Sequence, residues 1–463
     1  MQDSSNDALV FFGATGDLAY KKIFPALQTM VRRGTLNVPV IGVAKSGWTL
    51  EQLKERARDS LEKHGGGVDP EAFARLTSLL GYVDGDYGDA GTFRALRKAL
   101  GGAQRPAHYL AIPPAMFATV VEQLAAAGCT AAGARVVVEK PFGRNLQSAR
   151  ELNRILHGVF DESHVFRIDH YLGKRPVHNM AFFRFTNAML EAFWNRYNIS
   201  SVQITMAEDF GVQGRGAFYD QTGTVRDVIQ NHLFQVLTYL AMEPPVRTDS
   251  ETMRDEKVKV LKAIPPLAAV DLVRGQFRGY LGEQGVRSES RTETFAALRL
   301  EIDNWRWQGV PFFIRAGKSL PVTCTEVVAV LRRPPTVFPT WMPRNNYFRL
   351  RISPVNELAI GLNVMDEEER EIGQPAELMA SRHAGPNEMD AYERVLTDAM
   401  AGDRTLFARQ DYVEEAWRIV DPVLDVASPL HVYEPGTWGP QEAERLSPAS
   451  GWHNPNLTES ATL

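Results

Sequence analysis

Three features are scarce in this sequence of 463 residues, and each scarcity argues against a class of protein. The chain has only two cysteines, Cys129 and Cys324, so neither a disulfide framework nor a cysteine metal site is expected. No apolar run is long enough to cross a bilayer, which argues against membrane insertion. The net charge of -5 gives no general attraction for nucleic acid or for an acidic membrane. An anionic ligand therefore requires a local cluster of basic residues.

The first residues of the chain do not have the pattern of a secretory signal. Residues 1–7 are polar and acidic, whereas a secretory signal requires positive charge followed by an apolar stretch. We therefore expect a cytoplasmic protein whose two cysteines stay reduced. The length exceeds that of one ordinary core, so two or three domains are expected.

The first part of the chain, residues 1–170, is predicted to be a Rossmann-like dinucleotide-binding domain of the α/β class. An apolar strand at 8–12 is followed by a glycine turn, a segment with helical spacing of apolar residues and a second buried strand at 38–43. This βαβ order predicts a parallel sheet. Further strands are predicted at 107–112 and 135–139, where prolines follow.

The second part, residues 171–463, is predicted to be a larger α+β domain that binds substrate and forms oligomers. Apolar residues alternate with other residues at 348–352 and 358–364, which is typical of half-buried strands, and a helix is predicted at 224–241. Together these features predict a mostly antiparallel sheet with helices. Residues 440–463 are rich in Ser, Pro and Asn and are predicted to form a loose tail.

The turn after the first strand is a candidate dinucleotide site. Small residues between a strand and a helix let backbone N–H groups approach a pyrophosphate, and the candidates here are Gly13, Ala14, Thr15, Gly16, Asp17 and Leu18. Position 14 is Ala where the usual G-x-G-x-x-G has Gly, so a tight turn without a ligand is the alternative. After the second strand, Lys45 stands where NAD enzymes carry an acidic residue. A cation there suits the 2'-phosphate of NADP, although a solvated surface lysine gives the same pattern.

Five segments, in this order, resemble the glucose-6-phosphate dehydrogenase family. They are GATGDLAYKK (13–22), VVVEKPFG (136–143), RIDHYLGK (167–174), FYDQTGTVRDVIQNHL (218–233) and VPFFIRAGKSLP (310–321). The resemblance runs through most of the chain. It implies oxidation of D-glucose 6-phosphate at C1 to 6-phospho-D-glucono-1,5-lactone with hydride transfer to NADP, which is the first step of the pentose phosphate pathway.

The resemblance also implies roles for single residues. His232 is implied to be the general base that removes the C1 hydroxyl proton, and Asp169 the carboxylate that fixes its tautomer. The substrate would be held by His170, Tyr171, Lys174, Glu208, Asp227, Lys318 and Lys140. The cofactor would be held by the glycine turn together with Lys22, Lys45 and Lys140.

Three of these residues can also be weighed by position alone. His232 falls along the edge of the apolar stripe of its predicted helix, where a hydrogen-bonded core histidine is the alternative to a base. His170 and Lys174 would share one face if their segment were helical.

Two positions depart from the family pattern. Position 323 is Thr where many members carry a second basic residue, and position 175 is Arg where Glu is usual. A dehydrogenase for a different sugar or sugar phosphate, or a non-catalytic NADP-binding paralogue, therefore stays open as an alternative. The family resemblance implies a homodimer or homotetramer associated through the large sheet. No cluster of metal ligands is evident, so no metal is expected.

Overall fold

The structure is a computed structural model that describes residues 5–337, 343–365, 373–382, 385, 388–424 and 428–457. The chain forms two compact units, neither of which is continuous in sequence. Unit 1 comprises Met1–Arg175, Pro245–Asp255 and Asn387–Glu414, and unit 2 comprises Pro176–Pro244, Glu256–Pro386 and Glu415–Leu463. The division into domains 1–170 and 171–463 stays a prediction.

The strands of the described residues are numbered β1 to β16 in chain order. They are Ala8–Phe12, Val40–Ala44, Leu80–Asp84, Pro106–Leu110, Arg135–Glu139, Val165–Ile168, Ile199–Ala207, Leu272–Phe277, Phe295–Leu300, Phe312–Gly317, Cys324–Leu331, Tyr347–Ser353, Asn356–Met365, Gly373–Arg382, Phe407–Ala408 and Leu430–Tyr433.

The α-helices of the described residues are numbered α1 to α13. They are Phe24–Arg32, Leu50–His64, Pro70–Leu79, Ala90–Leu100, Phe117–Ala126, Leu146–His157, Arg175–Thr186, Ala188–Phe193, Gly216–Thr224, Phe234–Ala241, Ser250–Lys262, Ala391–Ala401 and Gln410–Leu424. Two segments, Ala19–Ile23 and Val225–Leu233, are π-helical. Short 3₁₀ turns lie at Pro114–Met116, Glu162–His164, Ala269–Asp271, Tyr280–Gly282 and Gln441–Leu446.

Unit 1 is built on a doubly wound sheet. Over the described residues it has seven strands in the order β15-β6-β5-β4-β1-β2-β3, all parallel except β15, which pairs antiparallel with β6. Every residue of β1, β2, β4 and β5 is buried, as expected for parallel strands covered on both faces. The predicted Rossmann-like fold is confirmed, with the second strand at 40–44 instead of 38–43.

Unit 2 is built on a nine-stranded sheet, again counted over the described residues. The order is β14-β13-β12-β11-β7-β10-β9-β8-β16. The pairs β7–β10 and β8–β16 are parallel and the others are antiparallel, so the prediction of a mostly antiparallel sheet is confirmed. Each of the helices in the described part of the chain is too short or too polar to cross a bilayer.

The prediction of a loose tail is wrong for residues 440–457. Ala443 and Leu446 are buried in a hydrophobic cluster of unit 2, and Trp452 packs against that cluster. The guanidinium of Arg315 lies 4.8 Å from the Trp452 ring and donates to the carbonyl of His453 at 2.7 Å. Composition suggested a polar tail, but a few apolar side chains and one buried cation fix it to the sheet. Residues 458–463 lie outside the described residues.

Candidate active site

The glycine turn after β1 is held by backbone contacts. Gly13 has a φ of +77°, and its N–H donates to the Val43 carbonyl at 2.9 Å. A Cβ at Gly13 would lie 2.2 Å from the Ala111 carbonyl oxygen, so no other residue fits without a shift of the backbone. Ala14 is fully buried, and its methyl group faces Gly42, where an added Cβ would approach it to 2.9 Å. The glycine of β2 thus accommodates the alanine that departs from the usual motif.

The position of this turn in the sheet fits a dinucleotide. The strand order of unit 1 reverses between β1 and β4, and open α/β sheets bind ligands outside the carboxyl ends of the strands at such a point. Thr15 is half-buried and Gly16 is exposed, so the backbone of the turn is accessible. The π-helix Ala19–Ile23 follows the turn, so the turn lies between a buried strand and the start of a helix, as in dinucleotide sites.

The charged residues of this helix are exposed. Asp17 forms an ion pair with Lys21 at 3.3 Å, and the Asp17 side chain is 81% exposed. The ammonium of Lys22 lies 6.0 Å from the centroid of the Tyr392 ring. These side chains can rearrange at little cost because exposed ion pairs contribute little to stability.

Lys45 follows β2, but it meets an acidic group that the sequence analysis did not single out. Its ammonium lies 2.6 Å from the Asp86 carboxylate, and this hydrogen bond raises the pKa of Lys45 and lowers that of Asp86. The neighbouring Asp84 accepts the N–H groups of Ser46 (3.0 Å) and Gly47 (2.8 Å). The signal for these residues is the run of aspartates directly after the third strand.

Lys140 follows β5 and lies beside a second acidic residue that the sequence analysis missed. Its peptide bond to Pro141 is cis. The preceding Glu139 is buried and accepts a hydrogen bond from the hydroxyl of Tyr109. Burial raises the pKa of Glu139 to about 7. The end of β5 therefore combines a lysine with a buried carboxyl that titrates near neutrality.

Residues 169–174 form successive turns, so the condition under which His170 and Lys174 would share one helical face is not met. Backbone N–H groups donate three residues back, from Leu172 to Asp169 at 2.9 Å and from Lys174 to Tyr171 at 3.1 Å. The first α-helix after these turns, α7, begins at Arg175. Asp169 is 2% exposed and accepts the N–H of Tyr171 at 2.9 Å.

Aromatic rings lie close to two polar side chains of this segment, Lys174 and His170. The ammonium of Lys174 lies 3.9 Å from the centroid of the Tyr171 ring. The ring of His170 stacks on that of Tyr392, with centroids 6.4 Å apart and an interplanar angle of 13°. Unit 1 thus gathers two cationic or titratable groups, His170 and Lys174, next to the buried Asp169.

Glu208 and Lys318 form an ion pair in unit 2. Strands β7 and β10 are parallel neighbours, so the residues that follow them, Glu208 and Lys318, emerge at the same edge. The Lys318 ammonium lies 2.5 Å from a Glu208 carboxylate oxygen. The side chain of Lys318 is 10% exposed, and the rings of Phe210 and Tyr219 each lie 5.1 Å from its ammonium.

Asp227 and His232 lie on the π-helix Val225–Leu233. Residues five apart would point about 140° apart on an α-helix, but the wider π turn, with its i to i+5 bonds, brings them closer to one face. The side chain of Asn231 accepts the N–H of His232 (2.6 Å) and donates to the carbonyl of Arg226 (3.0 Å). His232 is 4% exposed.

The segment was predicted as one helix over 224–241, and its π-helical part is a correction. The apolar stripe is compatible with either winding over nine residues, so spacing alone does not reveal it.

The pKa of Tyr219 is well above its ordinary value because of burial, and the charge of Asp227 adds to the effect. Asp227 therefore acts electrostatically on the phenol next to Lys318.

The two departures from the family pattern have identifiable surroundings. The Thr323 hydroxyl donates to the Asp209 carboxylate at 2.5 Å and accepts the Asp209 N–H at 3.0 Å. A neutral hydroxyl thus stands at the position where many family members carry a cation. Arg175 is exposed at the start of α7, and its charge, after burial, contributes to lowering the pKa of Arg394.

The predicted site residues fall into two groups. Unit 1 holds Gly13, Ala14, Thr15, Gly16, Asp17, Leu18, Lys22, Lys45, Lys140, Asp169, His170, Tyr171 and Lys174, and unit 2 holds Glu208, Asp227, His232 and Lys318. In unit 2, Glu208 and Lys318 form an ion pair, and the rings of Phe210 and Tyr219 flank the Lys318 ammonium. Carboxylates, an ammonium and a buried imidazole are groups that can bind sugar hydroxyls and accept a proton.

Comparisons with known proteins cover nearly the whole chain. The family model described as "Glucose-6-phosphate dehydrogenase, NAD binding domain" matches residues 10–179, and the one described as "Glucose-6-phosphate dehydrogenase, C-terminal domain" matches residues 181–453. The relative named glucose-6-phosphate 1-dehydrogenase 1 from Mycobacterium tuberculosis (strain ATCC 25618 / H37Rv) is 44% identical over 98% of this chain and 97% of its own length.

Two solved structures have the same fold. The crystal structure of glucose-6-phosphate 1-dehydrogenase from Mycobacterium avium is similar with a TM-score of 0.92 and 46% identity, covering 98% of this chain and 99% of that chain. A structure of glucose-6-phosphate dehydrogenase in complex with its substrate glucose-6-phosphate has a TM-score of 0.88 and 37% identity, covering 98% of this chain and 100% of that one.

Proposed function

The chain belongs to the glucose-6-phosphate dehydrogenase family, and from this premise we propose that it oxidises D-glucose 6-phosphate at C1 to 6-phospho-D-glucono-1,5-lactone. The reaction removes a hydride from C1 and a proton from the C1 hydroxyl. A nicotinamide dinucleotide accepts the hydride when it is bound. The buried His232, on the same π-helix as Asp227, is the observation that carries the proposal, because the proton needs an acceptor.

His232 is proposed to accept the proton. An imidazole titrates near neutrality and contributes about 10²- to 10⁴-fold as a general base. Asp169 is the proposed carboxylate that stabilises the protonated imidazole and selects its tautomer. Its burial supports this role, because a buried carboxylate is expected to have a charged or hydrogen-bonding partner.

The remaining polar residues are proposed to hold the sugar phosphate. Glu208 and Asp227 accept hydrogen bonds from sugar hydroxyls, and Lys318, which lies beside Glu208, donates to them. The phosphate is assigned to His170, Tyr171 and Lys174, and Lys140 is assigned to both the sugar and the cofactor. Thr323 supplies no cation, so we expect the phosphate to be held about ten- to a hundredfold less tightly than with a second basic contact.

NADP is the proposed cofactor. The glycine turn, with Asp17, Leu18 and Lys22, is assigned to the dinucleotide, and the 2'-phosphate is assigned to Lys45. The position of Lys45 directly after β2, with an exposed ammonium, supports this assignment, although Asp86 competes for that ammonium. A phosphate dianion can replace a single exposed carboxylate as the partner of that ammonium.

A cytoplasmic homodimer or homotetramer is proposed as the physiological form. Both cysteines are buried free thiols, which suits a reducing compartment. Strands β13 and β14 expose the apolar side chains Leu362, Val364 and Leu378 on one face, and an exposed apolar sheet face is typical of an association surface. Sedimentation analysis measures the oligomeric state, and a monomer would overturn this part.

The test of the function pairs each nicotinamide cofactor with several sugars and follows the absorbance of the reduced cofactor. We expect turnover with D-glucose 6-phosphate and NADP, and lower rates with free glucose. The absence of a signal with millimolar glucose 6-phosphate would refute the proposal. Turnover of another sugar phosphate would favour the alternative that Thr323 motivates, and cofactor binding without any turnover would favour a non-catalytic paralogue.

A further inference from the structure

Glu293 is a buried carboxylate that none of the assigned roles uses. It lies two residues before β9 and is 4% exposed. One carboxylate oxygen accepts the N–H of Val225 at 3.1 Å, and the other lies 3.2 Å from the guanidinium of Arg274. Because burying a carboxylate is costly, its retention here requires that these partners stay in place.

The partner N–H groups belong to the start of the π-helix that carries Asp227 and His232. Gly223, with a φ of +69°, breaks the helical path just before that start, so the first N–H groups need partners outside the helix. The Glu293 carbonyl accepts the N–H of Thr224 at 3.1 Å. A Cβ at Gly223 would lie 2.5 Å from the Glu293 carboxylate, so the contact is close. Glu293 thus caps this helix through its main chain and its side chain.

The next residue, Thr294, anchors the turn that carries Lys318. Its carbonyl accepts the Lys318 N–H at 2.9 Å. The Tyr433 hydroxyl lies 3.1 Å from the Thr294 hydroxyl and donates to the Lys318 carbonyl at 2.6 Å. Glu293 and Thr294, two consecutive residues just before β9, therefore hold both the start of the π-helix and the Lys318 turn in place.

A third contact connects the same elements. The Tyr219 hydroxyl lies 2.8 Å from the Thr224 hydroxyl, and the Tyr219 ring lies 5.1 Å from the Lys318 ammonium. The Thr224 hydroxyl in turn donates to the Glu293 carbonyl at 3.3 Å. A shift of Glu293 would therefore move both the helix start and the aromatic wall beside Lys318.

We propose that Glu293 is a positioning residue that fixes the helix of Asp227 and His232 with respect to the Lys318 turn in unit 2. The proposal rests on the proposed function, because positioning matters only if His232 accepts a proton and Lys318 holds the sugar. Glu293 acts through these residues and not on the substrate. Misplacement of a reacting group by about 1 Å can cost about a hundredfold in rate, so the expected effect is on kcat.

The experiment compares Glu293→Ala with the double variant Glu293→Gln/Arg274→Leu in the full chain. The alanine variant removes the side-chain cap, whereas the double variant keeps an acceptor oxygen for Val225 and removes the ion pair. We expect kcat of the alanine variant to fall by about ten- to a hundredfold, with a smaller change in KM for glucose 6-phosphate. We expect the double variant to recover most of the lost kcat.

Glu326→Gln is the matched control. Glu326 is also buried and paired with arginine, Arg351, at 2.8 Å in the same sheet, but it contacts neither the π-helix nor the Lys318 turn in the contacts described. We expect it to lower the melting temperature and leave kcat per folded molecule unchanged. An equal loss of kcat in Glu326→Gln and Glu293→Ala, or an unchanged kcat in the latter, would overturn the proposal.

Hydrogen exchange separates this proposal from the proposed function. We expect the amides of residues 225–233 to exchange faster in Glu293→Ala, with the amides of α2 unchanged. If the wild-type chain does not oxidise glucose 6-phosphate, the proposed function fails whatever the exchange shows. If the wild type is active and exchange at 225–233 is unchanged in Glu293→Ala, only the positioning role fails.

Discussion

The glycine turn of unit 1 keeps its shape through backbone contacts, whereas the cluster around Lys318 and His232 in unit 2 consists of buried side chains. In the turn, the charged side chains are exposed, as the 81% exposure of Asp17 shows. In the cluster, Lys318, His232 and Glu293 are each at most a tenth exposed. A backbone-built site tolerates side-chain changes such as Ala14, but a cluster of buried charges depends on each partner.

Replacement of the proposed base, His232, should have the largest effect on kcat. It tests whether the buried side chains of unit 2 are needed for activity. In His232→Asn, an amide of similar size cannot accept the proton, so we expect kcat to fall by about 10²- to 10⁴-fold. Initial rates measure this loss, and fluorescence titration with NADPH should show that cofactor binding is kept. Turnover that survives the substitution would show that His232 is not the base.

Breaking the partly buried ion pair of Lys318 with Glu208 should have the next largest effect. Lys318→Met leaves Glu208 without its cation, so we expect KM for glucose 6-phosphate to rise by about thirtyfold or more, together with a lower melting temperature. The double variant Glu208→Gln/Lys318→Met should regain stability but not affinity. If the double variant is no more stable than the single one, the pair is not coupled as the geometry indicates.

A substitution in the glycine turn tests whether the backbone conformation of this turn is needed for cofactor binding. Gly13→Ala places a Cβ against Ala111 and forces an unfavourable φ, so we expect a cost of about 1–3 kcal/mol and a rise in KM for NADP of about tenfold or more. Gly34→Ala is the control, because Gly34 has a φ of +75° with no atom within 4 Å of an added Cβ. Equal effects on the cofactor KM in both variants would contradict the steric explanation.

The smallest expected effect is on cofactor preference and concerns the exposed ion pair of Lys45 with Asp86. In Lys45→Ala, the preference for NADP over NAD should fall by about three- to tenfold, because an exposed charge contact contributes modestly. Asp86→Asn removes the competing carboxylate and should raise affinity for NADP without changing affinity for NAD. Cofactor KM values measure both, and an unchanged ratio in the two variants would assign the 2'-phosphate elsewhere.

Much of the fold could be predicted because local patterns determined it. The strands at 8–12 and 135–139 have the predicted bounds, since a buried apolar run between a polar segment and a turn leaves few alternatives. The π winding of 225–233 could not be predicted, because an apolar stripe over nine residues fits both helix types. The packed segment 440–457 was missed because its fixing contacts come from residues far away in sequence, such as Arg315.

The candidate site shows the same division. The strings around Asp169, His232 and Lys318 could be singled out by resemblance, and the glycine turn by its place after a strand. Asp86, Glu139 and Glu293 were missed, because each acts through a partner that only the folded chain brings near. Glu293, for example, lies 68 residues from Val225, and no spacing rule connects them.

The long-range contact of Arg315 affects when unit 2 can finish folding during synthesis. Arg315 is 1% exposed, and its guanidinium donates to the carbonyl of His453, which is 138 residues further along. In unit 1, Arg135 likewise donates to the carbonyl of Met400, 265 residues later. Neither unit can reach its final packing until the ribosome has delivered these late residues, so each remains incomplete and open to chaperones or proteases while most of the polypeptide emerges.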